Sequence, residues 1–246
     1  MPRALVIGNS HTASMTSAFR DNERQSIDIY WLKNKKQPDR GNIELADAIK
    51  LIKSLSDDDF LFISLIGTYH NIMGLIKHPI PFDFYESPDS GDRPRQDYYL
   101  IPHNVMRSEM DRMLEGSGTV KALAKAAGCA TYIISPPPPK GNHEFISTRT
   151  RAYRGTVLDS ASINDAAIRA KIWRLEMNRM ADWASSNSMR FLPVPAGSLS
   201  GEGCLAEEYY GSDVTHANEA YGALVLDQIA AIATGVRSRQ EVRVGG

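Results

Sequence analysis

Cysteine is scarce: Cys129 and Cys204 are the only two in 246 residues. Two thiols without framework spacing exclude a disulfide-stapled fold, and both are expected to be reduced. Long apolar runs are missing too. None approaches the ~18 residues of a membrane span. Met1-Pro2-Arg3 leads into a short apolar run that lacks the length and cleavage site of a secretory segment. The expectation is a cytoplasmic protein with no membrane partner. Neither charge sign is in excess, with 28 Lys and Arg against 29 Asp and Glu, so charge gives no reason to expect a nucleic-acid partner. The glycine patterns of nucleotide binding are absent. His70, His78, His103 and His143 form no H-x-x-H or H-x-x-x-H pair and have no thiolate company, so no metal is expected.

What is present is an alternation of apolar runs and amphipathic stretches. Strands are predicted at Ala4–Ile7, Ile27–Leu32, Phe60–Ile66, Ala130–Ile134 and Arg190–Pro193. Helices are predicted at Thr12–Arg20, Ile43–Leu55, Asn104–Ala127 with a break near Gly116-Ser117-Gly118, Ser162–Ser186 and Ala217–Ala233. This order implies an α/β fold, a mostly parallel sheet with helices on both faces. Right-handed crossovers put every strand's C-terminal end on one edge. The residues that follow strands, Ser10, Gly67, Pro136 and Asp213–His216, are then expected on one rim. A single domain over 1–234 is expected, with long loops at 67–102 and 136–159 and a flexible tail at 235–246. The first loop is rich in aromatics and reads as packed over the rim. The second opens with Pro136–Pro139, which stiffen it as either a pocket wall or a spacer.

Gly8-Asn9-Ser10-His11 stands where the first strand gives way to a helix. A serine there is lifted off the strand end, beside unpaired N–H groups and the positive end of a helix dipole. That suits a nucleophile and the oxyanion it creates. It equally suits a helix N-cap, and the second glycine of a G-x-S-x-G elbow is absent. Asp213-Val214-Thr215-His216 offers an acid and a base three residues apart, a spacing that lets the carboxylate fix the imidazole tautomer. The same residues could instead be a cap and a first-turn histidine.

Taken together, the serine block near the N-terminus and the D-x-x-H near the C-terminus resemble the SGNH (GDSL-like) hydrolases. The resemblance implies a three-layer α/β/α sandwich on a five-stranded parallel sheet, flavodoxin-like in order. It implies Ser10 as nucleophile, His216 as base and Asp213 as its partner. The family's oxyanion donors are the serine N–H, a glycine after the second strand and an asparagine after the third. Gly41 matches the glycine. The third block reads Gly67-Thr68-Tyr69-His70-Asn71, with tyrosine at the asparagine position, so Asn71 and His70 become the candidate donors. Proline runs like Pro136–Pro139 occur at this place in relatives.

The expected function is hydrolysis of a small-acyl ester, possibly of a carbohydrate, through an acyl-serine intermediate. The expected partner is a small-molecule ester, with no cofactor; the oligomeric state is not encoded in any motif. Two other readings use the same residues: a non-catalytic ligand-binding protein, motivated by Tyr69, and an acyltransferase.

Overall fold

Five short apolar runs build the central sheet of the computed structural model, which describes residues 2–19, 26–33, 39–87, 91, 93–149 and 152–235. They are β1 (Ala4–Gly8), β2 (Ile27–Trp31), β3 (Phe60–Ser64), β6 (Ala130–Ile134) and β9 (Arg190–Leu192). All pair in parallel, in the order β2-β1-β3-β6-β9. The middle strands read as continuous apolar runs because both faces are covered. Side chains alternate between the faces. Leu5, Ile7, Leu61, Ile63 and Ile133 point into one core, while Ala4, Val6, Phe62, Tyr132 and Ile134 point into the other.

The first core is closed by α2 (Leu45–Lys53), α5 (Gly118–Ala126) and α7 (Ala166–Ser186), through Ala48, Ile52, Val120, Leu123, Trp173, Met177 and Met180. The second is closed by α1 (Thr12–Ala18) and α8 (Glu219–Ala233), through Met15, Ala18, Tyr221, Val225 and Ile229. The result is the expected α/β/α sandwich. The chain steps from β1 to β2 on one side, then crosses back past β1 to β3 on the other. That reversal makes the gap between β1 and β3 the topological switch point, where open parallel sheets accept ligands.

The predicted strands and long helices are observed with ends shifted by at most four residues, and Ala130–Ile134 with none. The Asn104–Ala127 stretch is two helices, α4 (His103–Glu115) and α5, parted at Gly116-Ser117. Arg20, the last residue of the first predicted helix, lies outside the described residues, as does all of the predicted tail after Gly235.

Both long loops contain structure that short apolar patterns did not announce. The first holds α3 (Tyr69–Gly74) and a parallel ribbon of β4 (Phe82–Phe84) and β5 (Tyr99–Ile101). Its Phe84 packs on α7 beside Met106 and Met110 of α4, against Ile168, Ile172 and Leu175. A buried pair, Lys171 Nζ to Asp83 Oδ1 at 2.9 Å, ties it down. The second loop holds α6 (His143–Arg149) and the hairpin β7 (Ala152–Tyr153) and β8 (Thr156–Val157). Pro136–Pro139 are buried. Gly67, at a φ of +99°, lies beneath them; a Cβ there would come within 2.6 Å of the Pro136 ring. No helix among the described residues is long and apolar enough to cross a membrane.

Candidate active site

The turn after β1 is held at the switch point by Asn9. Its N–H donates to the Ser64 carbonyl at 3.1 Å and its Nδ2 to the Leu65 carbonyl at 3.3 Å, both at the end of β3. Its Oδ1 accepts the His11 N–H, an Asx-type turn that turns the chain into α1. Gly8 is required by a close approach: a Cβ there would lie 2.1 Å from Thr12 Cγ2 and 2.9 Å from the Ser64 carbonyl. Ser10 therefore sits between the ends of β1 and α1. It is not a side-chain N-cap: His11 holds that position, and no side chain caps α1. The Ser10 hydroxyl has no partner among the described residues, and neither has its N–H.

Asp213 and His216 lie in a tight loop before α8. The cap of α8 is Asn218, whose Oδ1 accepts the Tyr221 N–H at 3.2 Å. His216 therefore lies three residues short of the final helix rather than opening it. The loop closes on itself through the Gly211 N–H to the His216 carbonyl, 2.9 Å. Asp213 Oδ1 accepts the N–H groups of Thr215 (2.9 Å) and His216 (2.8 Å), and Oδ2 lies 2.5 Å from His216 Nδ1. Burial works against the charged carboxylate, yet the His216 ring and the two N–H bonds outweigh it and hold Asp213 well below the usual carboxylate range. With its Nδ1–H donating to the Asp213 carboxylate, His216 keeps Nε2 as the nitrogen with a free lone pair.

The two segments meet. The rings of His11 and His216 are 5.2 Å apart and tilted by 49°. His11 is partly buried, with its Nδ1 shielded from solvent; desolvation, then the neighbouring His216 and His70, push it down to about 3 against a weaker opposing pull from Asp213. It is neutral at physiological pH. The D-x-x-H loop thus lies against the residue that directly follows Ser10.

Gly41 comes from the turn after β2. Its φ of +96° and the 2.8 Å that a Cβ would leave to the Lys33 backbone admit only glycine. Asn42 and Ile43 donate to the Trp31 carbonyl, and the Leu32 N–H donates to Gly8, so this turn is tied to the end of β1. The Gly41 N–H has no acceptor among the described residues.

The third block departs in an informative way. Tyr69 turns outward: its hydroxyl donates to the Met113 carbonyl at 3.2 Å and its ring joins the apolar cluster on α7. His70 and Asn71 turn inward and are buried. The Asn71 amide has no partner among the described residues. His70 is tied to a residue the sequence reading missed. Glu176 of α7, fully buried, accepts the Tyr69 and His70 N–H groups, each at 3.0 Å, and faces His70 Nδ1 at 2.7 Å. A carboxylate at the start of α3 satisfies otherwise orphaned donors. The wiring matches that of Asp213 with His216: one carboxylate binds an imidazole Nδ1, the same histidine's N–H and a preceding N–H. The one sequence signal for Glu176 was a charged residue on an apolar helix face, between Trp173 and Met177.

No protein-family model matches the chain, and no curated protein matches it. Among solved structures it is similar to a GDSL-like lipase from Bacteroides thetaiotaomicron, at 15% identity over 94% of this chain and 88% of the other, with a TM-score of 0.47. It is also similar to the periplasmic domain of a lipopolysaccharide acetyltransferase from Salmonella ser. Paratyphi A, at 12% identity over 95% and 84%, with a TM-score of 0.48. A carbohydrate acetylesterase from Sinorhizobium meliloti is similar at 12% identity over 94% and 100%, with a TM-score of 0.42.

Proposed function

We propose that the chain is an ester hydrolase of the SGNH type that works through Ser10, His216 and Asp213. The observation that carries this reading is the contact of the His216 ring with His11, which brings a carboxylate-bound imidazole against the turn that bears Ser10. Ser10 Oγ attacks the ester carbonyl as His216 Nε2 takes its proton. Asp213 holds the tautomer and stabilises the imidazolium. His216 returns the proton to the leaving alkoxide, and water, activated by the same imidazole, releases the acid. The free N–H groups of Ser10 and Gly41 are donors to the oxyanion, and the unengaged amide of Asn71 supplies a side-chain donor in place of the outward Tyr69. His70 backs this block through Glu176. Each such donor contributes roughly 3–4 kcal/mol to the transition state. The substrate class is a small-acyl ester, such as an acetylated sugar.

The test is Ser10→Ala against a short-chain aryl ester, with fluorophosphonate labelling alongside. Loss of turnover and of labelling is expected; undiminished turnover in the pure variant removes Ser10 from the mechanism. Tyr69 favours a second reading, a ligand-binding protein on the same scaffold. For that reading wild-type protein stays unlabelled. Product analysis with an added alcohol separates hydrolysis from acyl transfer.

A further inference from the structure

Lys140, the residue after the four prolines, is only 2% exposed. Its Nζ donates to the Gly211 carbonyl at 2.8 Å and to the Asp213 carbonyl. The ammonium also lies over two ring faces, Phe145 at 4.7 Å and Tyr210 at 5.1 Å, and those rings meet edge-on at 4.9 Å. Tyr210 is fixed in turn, its hydroxyl accepting the N–H groups of Gly141 and Asn142. Lys140 itself is fixed by its bridge to Leu205, whose N–H donates to the Pro139 carbonyl at 2.9 Å. No carboxylate forms an ion pair with Lys140 among the described residues. Asp213 acts on it through space.

A buried ammonium without a paired carboxylate is an expensive way to fill space. Burial pushes Lys140 down to about 8 even with Asp213 nearby. A methionine would pack there without that penalty. What the charge supplies is a grip on the 211–213 main chain. Both gripped carbonyls belong to the loop that carries the acid–base pair, and one is the carbonyl of Asp213 itself. The peptide plane beside the carboxylate is thereby set by a group anchored on the buried proline segment.

We infer that Lys140 is a positioning residue that sets the Asp213–His216 pair through the backbone of the 211–213 loop. The inference rests on the reading of that pair as the acid–base machinery of ester hydrolysis. Lys140→Met leaves the two carbonyls without their donor and lets the loop turn. Displacement of a catalytic group by about 1 Å can lower a rate by about a hundredfold.

The experiment pairs kinetics with proton NMR. In Lys140→Met, kcat for an aryl ester is expected to fall about a hundredfold with KM held within about twofold. The low-field Nδ1 proton of His216 is expected to shift or broaden while circular dichroism stays native. Lys140→Gln, a neutral side chain that can still donate, is expected to recover part of both. A folded Lys140→Met with wild-type kcat and an unmoved His216 resonance overturns the inference. Should Lys140→Met not fold, Lys140→Gln decides: reduced kcat with a moved resonance supports the role, and wild-type values overturn it. If Ser10→Ala retains turnover, the hydrolase reading falls, while the His216 resonance still reports on Lys140.

Discussion

Gly222 of α8 meets the backbone of Ser14 in α1 with no room for a side chain. A Cβ on Gly222 would lie 2.1 Å from the Ser14 carbonyl oxygen and 2.7 Å from the Met15 nitrogen. This helix contact is what brings the segment after Ser10 against the segment after His216. Gly222→Ala must force the helices apart. Overpacking of this kind costs about 3 kcal/mol, roughly 6–12 °C in Tm for a chain of this size. Calorimetry is expected to find that loss, and ester turnover is expected to fall more steeply than the remaining folded fraction accounts for.

Glu176→Gln is expected to loosen the third block. Three N–H donors converge on the carboxylate. An amide has one acceptor oxygen, and its own NH2 would face another donor. Leaving a buried donor unsatisfied costs about 2 kcal/mol. Urea unfolding should show a lower midpoint at an unchanged slope, the shift being that energy divided by the slope. Turnover of the aryl ester should fall about tenfold, because the start of α3 also carries Asn71.

His11 makes stability acid-sensitive. Its folded value of about 3 lies below the ordinary 6.5. Below pH 6.5 the unfolded chain takes up a proton that the folded chain refuses, so stability falls as the pH drops from 6.5 toward 3. The slope is at most about 1.4 kcal/mol per pH unit. Above pH 6.5 the residue contributes no slope. Denaturant titrations of wild type and His11→Phe between pH 7 and 4 are expected to diverge steadily, with the variant flatter. Parallel lines would mean that His11 does not resist protonation.

The middle of the sheet was legible because β1 and β3 are buried on both faces. Ala4–Gly8 and Phe60–Ser64 are apolar throughout or nearly so, and such runs advertise themselves without alternation. The helices that close the cores were legible from residues such as Ala48 and Ile52, spaced to share a face. Ser10, Asp213 and His216 could be singled out as candidates because their order along the chain resembles a known layout; that the His216 ring meets His11 is what the structure adds. The ribbons β4–β5 and β7–β8 were not, since strands of two or three residues leave no periodicity to read. Glu176 and Lys140 were hidden for a different reason. They act on residues 106 and 73 positions away, and no local pattern encodes such a meeting. The outward turn of Tyr69 depended likewise on the apolar cluster it joins on α7.

The joint between α1 and α8 has a consequence for how the protein is made. On the proposed mechanism, a nascent chain that has released only β1 through β9 from the ribosome carries a serine with no base to activate it. Reactivity waits until the 213–216 loop has emerged and α8 docks on α1.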